Sequence, residues 1–434
     1  MYKVQVSDNR RFLIHEDGTP FFWLGDTAWE LFHRTSREEA EYYLENRRQK
    51  GFTVIQAVIL AEVNGLRNPN VYGDLPFFDE DPSKPNEAYF RHVDFIIDLA
   101  AQKGLYIGLL PTWGDKVNKM WGEGPVIFDT QTACAYGEYV GTRYRDRSNI
   151  LWVMGGDRPE ITDGHDYAPV WRALAAGVQA GVGGAAFFTY HPMGGRSSAM
   201  AFHQDEWLSM NMWQSGHMQT DIPNWDMITQ DYERTPVKPV LDGEPNYEDH
   251  PINPYTRPWK PEYGYFREHD VRKQAYRAVF AGGCGHTYGH HSVWQMYKPG
   301  RQPINYPYCS WIEALDRPGA GQLIHLRRLM ESRPYLTRIP DQSVLTSEPG
   351  EGPYHVRATR SADGSYAMVY IPTADQTVRI HMSRLAGSRV KATWYDPRTG
   401  DKTPIATVQG ATECEFTSPI TGPDWVLLLD SMEW

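Results

Sequence analysis

The stretch YFRHVDFIIDLAAQKGLYIGLLPTWGD, residues 89–115, contains the unit from which the fold is built. Its apolar residues first recur at intervals of three and four, from Tyr89 to Ala100, which predicts an amphipathic helix. Gly104 ends that helix, and a continuous apolar run from Leu105 to Leu110 follows. Such a run predicts a strand that is buried on both faces, as in a parallel sheet covered by helices.

The same strand–helix unit recurs eight times between about residues 20 and 334. The predicted strands lie at 21–26, 54–60, 105–110, 150–154, 185–190, 208–213, 238–241 and 285–294. Eight such units over this length predict an α/β fold of the (β/α)8, or TIM barrel, class. A doubly wound open sheet is the alternative, but no GxGxxG turn follows the first strand.

After Pro334 the helical period gives way to short alternating strands, separated by turn sequences such as PRTGD at 397–401. The predicted strands lie at 354–357, 366–371, 377–381, 390–395 and 425–429. This pattern predicts a small antiparallel β-sandwich with a core of its own. We therefore predict a barrel domain at 1–340, which opens with a β-hairpin, and a β-sandwich domain at 341–434.

Composition excludes several classes of function. The 43 Lys and Arg against 54 Asp and Glu give a net charge of −11, so a nucleic-acid partner is not expected. No apolar run approaches the roughly 20 residues of a membrane span. The four cysteines show no CxxC spacing, which argues against a zinc site. The start, MYKVQVSDNRRFLIHEDG, lacks the apolar segment of a secretory signal, so we expect a cytoplasmic protein unless a signal has been removed.

Two carboxylates stand where a barrel places its chemistry, at the carboxyl ends of the strands. Asp157 follows the fourth predicted strand and Glu244 follows the seventh, on opposite sides of the barrel mouth. Glycosidic cleavage needs such a pair, one acid to protonate the leaving oxygen and one carboxylate to attack or to activate water. Each residue alone could equally be a helix cap. Together they predict a catalytic pair.

Other polar and aromatic residues near the strand ends are candidates for binding sugar. The chain is 13% aromatic, which favours a cleft that stacks flat sugar faces. The candidates for substrate binding are Asp26, Trp29, Gln56, Trp113, Tyr190, His191, Trp213, Gln214, His286 and Tyr288.

The histidines of the last strand leave one alternative open. Strand geometry puts His286, Tyr288 and His290 on one face, which a metal site could use. No HExxH pattern supports a metal, and no GxSxG elbow supports a serine hydrolase. We expect these side chains to bind sugar hydroxyls, with no metal and no cofactor.

Three segments resemble one known family. WLGDTAWELFHRTSREEAEYYLENRRQKGFTVIQ at 23–56, ILWVMGGDRPE at 150–160 and KPVLDGEPNYE at 238–248 are similar to motifs of the domain-of-unknown-function 4038 proteins, which include the apiosidases of glycoside hydrolase family 140. The tail resembles the β-domain, named for collagen binding, that usually follows. The resemblance implies cleavage of the link between apiose and galacturonic acid in the pectin rhamnogalacturonan II.

The resemblance also assigns roles to the two carboxylates. Asp157 matches the catalytic acid of the family's GGD motif, and Glu244 matches the nucleophile of its DGEP motif. The wider group of barrel glycosidases has Asn-Glu where this chain has Gly156-Asp157. Strands 4 and 7 of such barrels generally hold the carboxyl groups close together, so we expect retention of the anomeric configuration.

Two other functions stay open at this stage. One is a glycosidase of the same mechanism that acts on another sugar, such as arabinofuranose or rhamnose. The other is a non-catalytic protein that binds carbohydrate or matrix. The expected partner is an oligosaccharide or polysaccharide, with no nucleic acid or membrane involved. The sequence does not indicate an oligomeric state.

Overall fold

The computed structural model describes residues 1–254 and 256–433, and its first domain is the predicted (β/α)8 barrel. The barrel strands, numbered one to eight along the chain, are Trp23–Thr27, Val54–Leu60, Tyr106–Thr112, Ile150–Gly155, Phe188–His191, Asn211–Gln214, Val240–Asp242 and Gly285–Tyr288. Strands one to five pair in parallel in this order, strands six to eight do the same, and the eighth strand pairs with the first.

The ring closes between the fifth and sixth strands through two further hydrogen bonds. The Ser209 N–H donates to the Phe188 carbonyl at 2.9 Å, and the Thr189 hydroxyl donates to the Met210 carbonyl at 2.8 Å. A short strand, Arg196–Ser197, pairs antiparallel with the sixth strand at the barrel mouth. The prediction of a barrel is confirmed.

Helices surround the strands. The α-helices are Leu31–Arg34, Arg37–Gln49, Glu87–Gln102, Thr130–Tyr144, Ala168–Val182, Ala199–Phe202, Asn224–Tyr232, Glu268–Phe280, His291–Trp294, Trp311–Ala314 and Pro318–Glu331. Short 3-10 turns lie at Gly114–Lys116, Pro261–Tyr263, Gln342–Val344, Gly352–Tyr354 and Met382–Arg384. A short hairpin, Ile161–Thr162 with His165–Asp166, stands in the loop after the fourth strand.

The helix boundaries follow from local chemistry. Ser36 and Glu39 form a capping box that begins the helix Arg37–Gln49, because each side chain bonds the other's backbone N–H. Gly51 follows with a positive φ of 78°, a conformation that favours glycine. Among the described residues, no helix has both the length and the apolar character that crossing a bilayer requires.

A three-stranded antiparallel sheet of Val4–Val6, Leu13–His15 and Pro20–Phe21 precedes the barrel. It covers the end of the barrel opposite the candidate site. The ring of Phe21 packs edge-on against Tyr106, the first residue of the third barrel strand, at 5.1 Å. The predicted hairpin thus has one strand more than expected.

The second domain is formed by antiparallel strands, as predicted. A six-stranded sheet has the order Arg338–Pro340, Arg357–Ser361, Tyr366–Ile371, Trp425–Ser431, Arg389–Tyr395 and Lys402–Gln409. A two-stranded sheet pairs Thr377–His381 with Glu413–Thr417. Sequence reasoning did not predict the strands at 402–409 and 413–417, whose residues are mostly exposed and lack a clear apolar alternation.

One strand of the second domain places alternate side chains in two different cores. On Tyr366–Ile371, the residues Ala367, Val369 and Ile371 face the core of the β-domain. The alternate residues of the same strand pack in one apolar cluster with barrel helices that include Tyr276. The rings of Tyr370 and Tyr276 stack with centroids 4.9 Å apart. The β-domain therefore has its own core and shares a second one with the barrel.

A buried ion pair crosses the same interface. Arg272 on a barrel helix donates through Nε and Nη2 to both oxygens of Asp424 in the β-domain, at 2.8 and 2.5 Å. The Tyr370 hydroxyl also donates to Asp424, at 2.9 Å. Both charged side chains are buried, so neither can regain water if its partner is removed.

We predict that Asp424→Ala lowers the free energy of unfolding by about 3–5 kcal/mol, because Arg272 keeps its charge in a buried place without a partner. Chemical denaturation measures this loss. The matched control is Lys84→Ala, which breaks an exposed pair with Asp79 and should change stability little. Equal losses in the two variants would contradict the interface account.

Candidate active site

Asp157 stands on a sharp turn after the fourth barrel strand. Gly155, Gly156 and Asp157 all have positive φ, of 90°, 134° and 51°. A Cβ atom at Gly155 would collide with the His191 carbonyl oxygen, and one at Gly156 would lie 2.6 Å from the Gly114 nitrogen. Only glycine fits these two places, and the turn they allow carries the Asp157 carboxyl into the barrel mouth. Such conformations are concentrated at functional sites.

Glu244 comes from the seventh strand and faces two histidines. The Gly243 N–H donates to the Trp213 carbonyl at 2.8 Å, which fixes the backbone beside Glu244. His217 Nε2 lies 3.2 Å from Glu244 Oε1, and His191 Nε2 lies 2.8 Å from Oε2. Both carboxylate oxygens therefore face an imidazole.

His191 connects the two carboxylate loops. Its Nδ1 accepts a hydrogen bond from the Asp157 N–H at 3.4 Å. Since Nδ1 is the acceptor, the neutral ring carries its proton on Nε2, toward Glu244. The Nε2–H does not point straight at the oxygen 2.8 Å away, so this contact is close but not ideally aligned. The tautomer is thus assigned from the hydrogen bond between Nδ1 and the Asp157 N–H.

The two carboxyl groups differ in their affinity for protons. Burial raises the pKa of Asp157, and the negative charge of Glu244 raises it further. Burial acts in the same direction on Glu244, but the two imidazoles of His191 and His217 outweigh it and hold the pKa of that carboxyl low. The site therefore keeps Glu244 ionised under conditions where Asp157 still holds a proton.

Arg158 lies beside the acid and under an exposed tryptophan. Its Nη1 donates to the Asp157 carbonyl at 2.7 Å and lies 3.4 Å from Asp157 Oδ2. Its guanidinium carbon is 4.2 Å from the centre of the Trp121 ring, a cation–π contact. Trp121 is 56% exposed, so its other face is open to a ligand at the rim.

Five of the predicted binding residues lie around this pair. Gln214 lies beside the Asp157 side chain and opposes the rise of its pKa. Gln56 donates to the Gly243 carbonyl at 3.0 Å inside the barrel. Trp29, Trp113 and His191 form one aromatic group, with ring centroids 5.1 to 5.6 Å apart. Both tryptophans are only 2% exposed, so their faces are already covered by protein.

The other five predicted binding residues point toward the helices. Asp26 accepts hydrogen bonds from Arg47 at 2.6 Å and Tyr43 at 2.5 Å, both on the helix Arg37–Gln49. Tyr288, its partner on the eighth strand, donates to Glu248 at 2.6 Å. His286 lies two residues earlier in that strand and so on the same face, where burial lowers its pKa to about 3. These contacts favour structural roles.

Tyr190 and Trp213 also point outward, away from the interior of the barrel. Tyr190 packs against Phe202 with ring centroids 4.6 Å apart, and Trp213 packs with Trp225 and Ile228. Their neighbours His191 and Gln214 point inward. Adjacent residues of a strand face opposite sides of the sheet, so each pair can place one member in the site.

Trp121 is the site residue that sequence reasoning missed. It lies in the loop that follows the third strand, eight positions beyond Trp113. The rule that active-site residues follow the carboxyl ends of barrel strands does not apply so far into a loop. His217 and Glu62 do follow strand ends and are visible in the sequence as polar residues. Nothing in their spacing separates them from neighbours that point elsewhere.

The histidines of the eighth strand do not form a metal site with one another. Within the described part of the chain, the group close enough to share an ion is Asp249, His290 and Cys309. Arg317 lies 2.7 Å and Arg267 3.2 Å from the Asp249 carboxylate. Two guanidinium charges at this place oppose the binding of a cation.

Comparisons with known proteins assign both parts of the chain to known families. The family model "Apiosidase-like, catalytic domain" matches residues 7–337, and the model "Putative collagen-binding domain of a collagenase" matches residues 339–430. No curated protein matches the chain significantly.

Solved structures give the same result. One is named "Glycoside hydrolase"; it is 34% identical, with a TM-score of 0.90 over 100% of this chain and 98% of that one. Another is a glycoside hydrolase family 5 protein from Bacteroides vulgatus, 33% identical, with a TM-score of 0.90 over 100% and 93%.

The fold, the facing carboxyl groups and these relatives define the class: the protein is a glycoside hydrolase. The family model covers well over half of the chain. The chain therefore belongs to the apiosidase-like family, and a collagen-binding-type β-domain follows its catalytic domain.

We predict that His217→Phe shifts the acid limb of the pH profile of kcat/KM upward. If activity requires the anion of Glu244, activity falls as pH drops through the pKa of this carboxyl, which His217 helps to keep low. Removing one hydrogen bond to a charged group, worth about 1.5–3 kcal/mol, corresponds to a shift of roughly 1–2 pH units. Phenylalanine keeps a ring against His250, which stacks on His217 at 4.1 Å.

The control is His165→Phe, at an exposed histidine of the hairpin after the fourth strand. Its pH profile should match that of the wild type. An acid limb that stays in place in His217→Phe would show that the limb does not report the ionisation of Glu244.

Proposed function

We propose that the protein is a retaining glycosidase in which Asp157 is the general acid and base and Glu244 is the nucleophile. The observation that carries this proposal is the geometry of the barrel mouth, where Glu244 lies within 3.2 Å of two imidazoles and Asp157 stands on a left-handed turn that His191 joins to it; the pKa shifts of the two carboxyl groups run in opposite directions accordingly. Two carboxyl groups whose environments separate their pKa values are typical of an acid paired with a nucleophile.

In the first step, a Glu244 oxygen attacks the anomeric carbon while Asp157 donates its proton to the glycosidic oxygen. The bond between the anomeric carbon and that oxygen breaks, and the leaving sugar departs as an alcohol. His191 and His217 hold the carboxylate of Glu244 as it turns from anion to ester.

In the second step, Asp157 acts as a base. It removes a proton from water, and the water oxygen attacks the anomeric carbon. The bond to Glu244 breaks, Glu244 becomes an anion again, and Asp157 is restored with its proton. Two inversions at the same carbon leave the configuration of the product equal to that of the substrate.

For the substrate we propose the link between apiose and galacturonic acid in rhamnogalacturonan II, which would make this a family 140 enzyme of pectin degradation. Membership of the apiosidase-like family supports this choice. A panel of rhamnogalacturonan II oligosaccharides and of nitrophenyl arabinofuranosides and rhamnosides, with identification of the released sugar, tests it. Release of arabinose or rhamnose alone would replace apiose as the substrate.

A non-catalytic role in binding carbohydrate is the competing function. It would need neither the left-handed turn at Asp157 nor two histidines on Glu244. The same panel separates the two, because a binding protein would retain the oligosaccharides without releasing a sugar.

We expect Asp157→Asn to slow hydrolysis of natural linkages by about 10²–10⁴-fold, the typical contribution of general acid catalysis. Substrates with a good leaving group need less protonation and should be slowed much less in the first step. Rates with a nitrophenyl glycoside and with the oligosaccharide measure this difference. Equal slowing of both substrates would assign Asp157 another role.

We expect Glu244→Gly to be inactive and to regain turnover when azide is added, because the small anion fits the space of the missing side chain. The product should be a glycosyl azide of configuration opposite to the substrate. Proton NMR of the products of the wild type and the variant gives both configurations. An inverted sugar released by the wild type would exclude the retaining mechanism.

A further inference from the structure

Glu62 is a third carboxyl group at the mouth of the barrel. It follows the second barrel strand, which ends at Leu60, on the side where the candidate catalytic residues lie. Its side chain is 24% exposed, the same fraction as that of Asp157. Arg158 lies between the two acids, with Nη2 4.0 Å from Glu62 Oε1. Glu62 therefore reaches the cleft beside the acid and has no place in the two-step reaction described above.

The groups around Glu62 disfavour a negative charge there. Asp157, Asp115 and Glu30 face it and act in the same direction as burial, which is the main cause that raises the pKa of Glu62 to about 8. The nearest cation is Arg158, whose charge opposes this rise from a distance beyond that of a hydrogen bond.

The neighbouring acids have partners of their own. Lys116 lies 2.7 Å from Asp115, and the His33 ring lies 2.6 Å and Arg34 3.5 Å from Glu30. Lys116 and Arg34 are therefore engaged elsewhere. Within residues 1–254 and 256–433, no side chain or backbone N–H donates a hydrogen bond to the carboxyl of Glu62.

Glu62 and Trp121 border the cleft on either side of Arg158. Arg158 itself offers no donor to a ligand there, because its Nη2 is buried and its Nη1 donates to the Asp157 carbonyl. The outer face of Trp121 is open to solvent. The Glu62 carboxyl and this exposed aromatic face together suit the polar edge and apolar face of a sugar ring.

We propose that Glu62 binds the sugar on the leaving-group side of the cleft as a neutral acid, donating a hydrogen bond from its carboxyl O–H to a sugar hydroxyl oxygen. The assignment to the leaving-group side follows from its place beside Asp157, the group that protonates the leaving oxygen. This inference rests on the proposed function, and it makes Glu62 a residue that determines specificity for that sugar.

Matched variants separate a neutral donor from an anion. Glutamine has nearly the shape of protonated glutamate and keeps an N–H donor, whereas alanine removes the donor. In the Asp157→Asn background, which binds without rapid turnover, calorimetry measures the Kd of a rhamnogalacturonan II oligosaccharide near pH 6. We expect Glu62→Gln to bind within about twofold of its parent and Glu62→Ala to bind about 3–10-fold more weakly.

The pH dependence of the Kd gives a second test, because a purely structural role of Glu62 would not make binding depend on pH in this way. Binding by the parent should weaken as pH rises through the pKa of Glu62, because the ionised carboxylate has no proton to donate. Binding by Glu62→Gln should lack this decline. Equal weakening by glutamine and alanine, or no effect of either, would overturn the proposal.

An infrared measurement tests the proton without any substrate. The difference spectrum of the wild type minus Glu62→Gln at pH 7 should contain the carbonyl stretch of one protonated carboxylic acid. The control is Glu331→Gln, at a partly exposed glutamate paired with Arg327, whose difference spectrum should show a carboxylate instead. Absence of the acid band for Glu62 would overturn the proposal, whereas failure of the wild type to cleave any glycoside would count against the proposed function alone.

Discussion

The contact of His191 with both carboxylate loops is the interaction on which the site depends. One ring nitrogen accepts from the Asp157 backbone and the other faces Glu244 at 2.8 Å. The first contact fixes the tautomer, and the tautomer decides that a proton, and not a lone pair, faces the carboxylate. If the ring were turned over, the Asp157 turn and Glu244 would each lose a partner.

The surrounding structure holds that ring in place. Trp29 and Trp113 pack against it on one side of the barrel mouth. The Gly114 N–H donates to the Gly156 carbonyl at 3.1 Å, which joins the third-strand loop to the turn that carries Asp157. The two covered tryptophans thus hold His191 in place, whereas Trp121 at the rim keeps a face open to solvent.

The sequence predicts the fold well and the site only in part, for a physical reason. Helical spacing and continuous apolar runs depend on burial, which residues 89–115 show clearly. Asp157 and Glu244 could be predicted because each follows a glycine at the end of a predicted strand, a pattern that the sequence shows directly. The direction of a strand residue is not visible when both faces of the sheet are buried, since every position is then apolar or paired. Tyr190 and His191, or Trp213 and Gln214, look equally placed in the sequence.

The same limit applies to charge. Three carboxyl groups, Glu62, Asp157 and Glu244, meet at one opening, and the sequence assigns each the same negative charge. Their neighbours divide them: two imidazoles stabilise the anion of Glu244, while burial and the charges of nearby acids disfavour ionisation of the other two. Arg158 lies beside both, 4.0 Å from Glu62 and 3.4 Å from Asp157. A site whose neighbours favour the anion of Glu244 and the protonated forms of Glu62 and Asp157 can present an anion to the anomeric carbon and still offer protons to the oxygens around it.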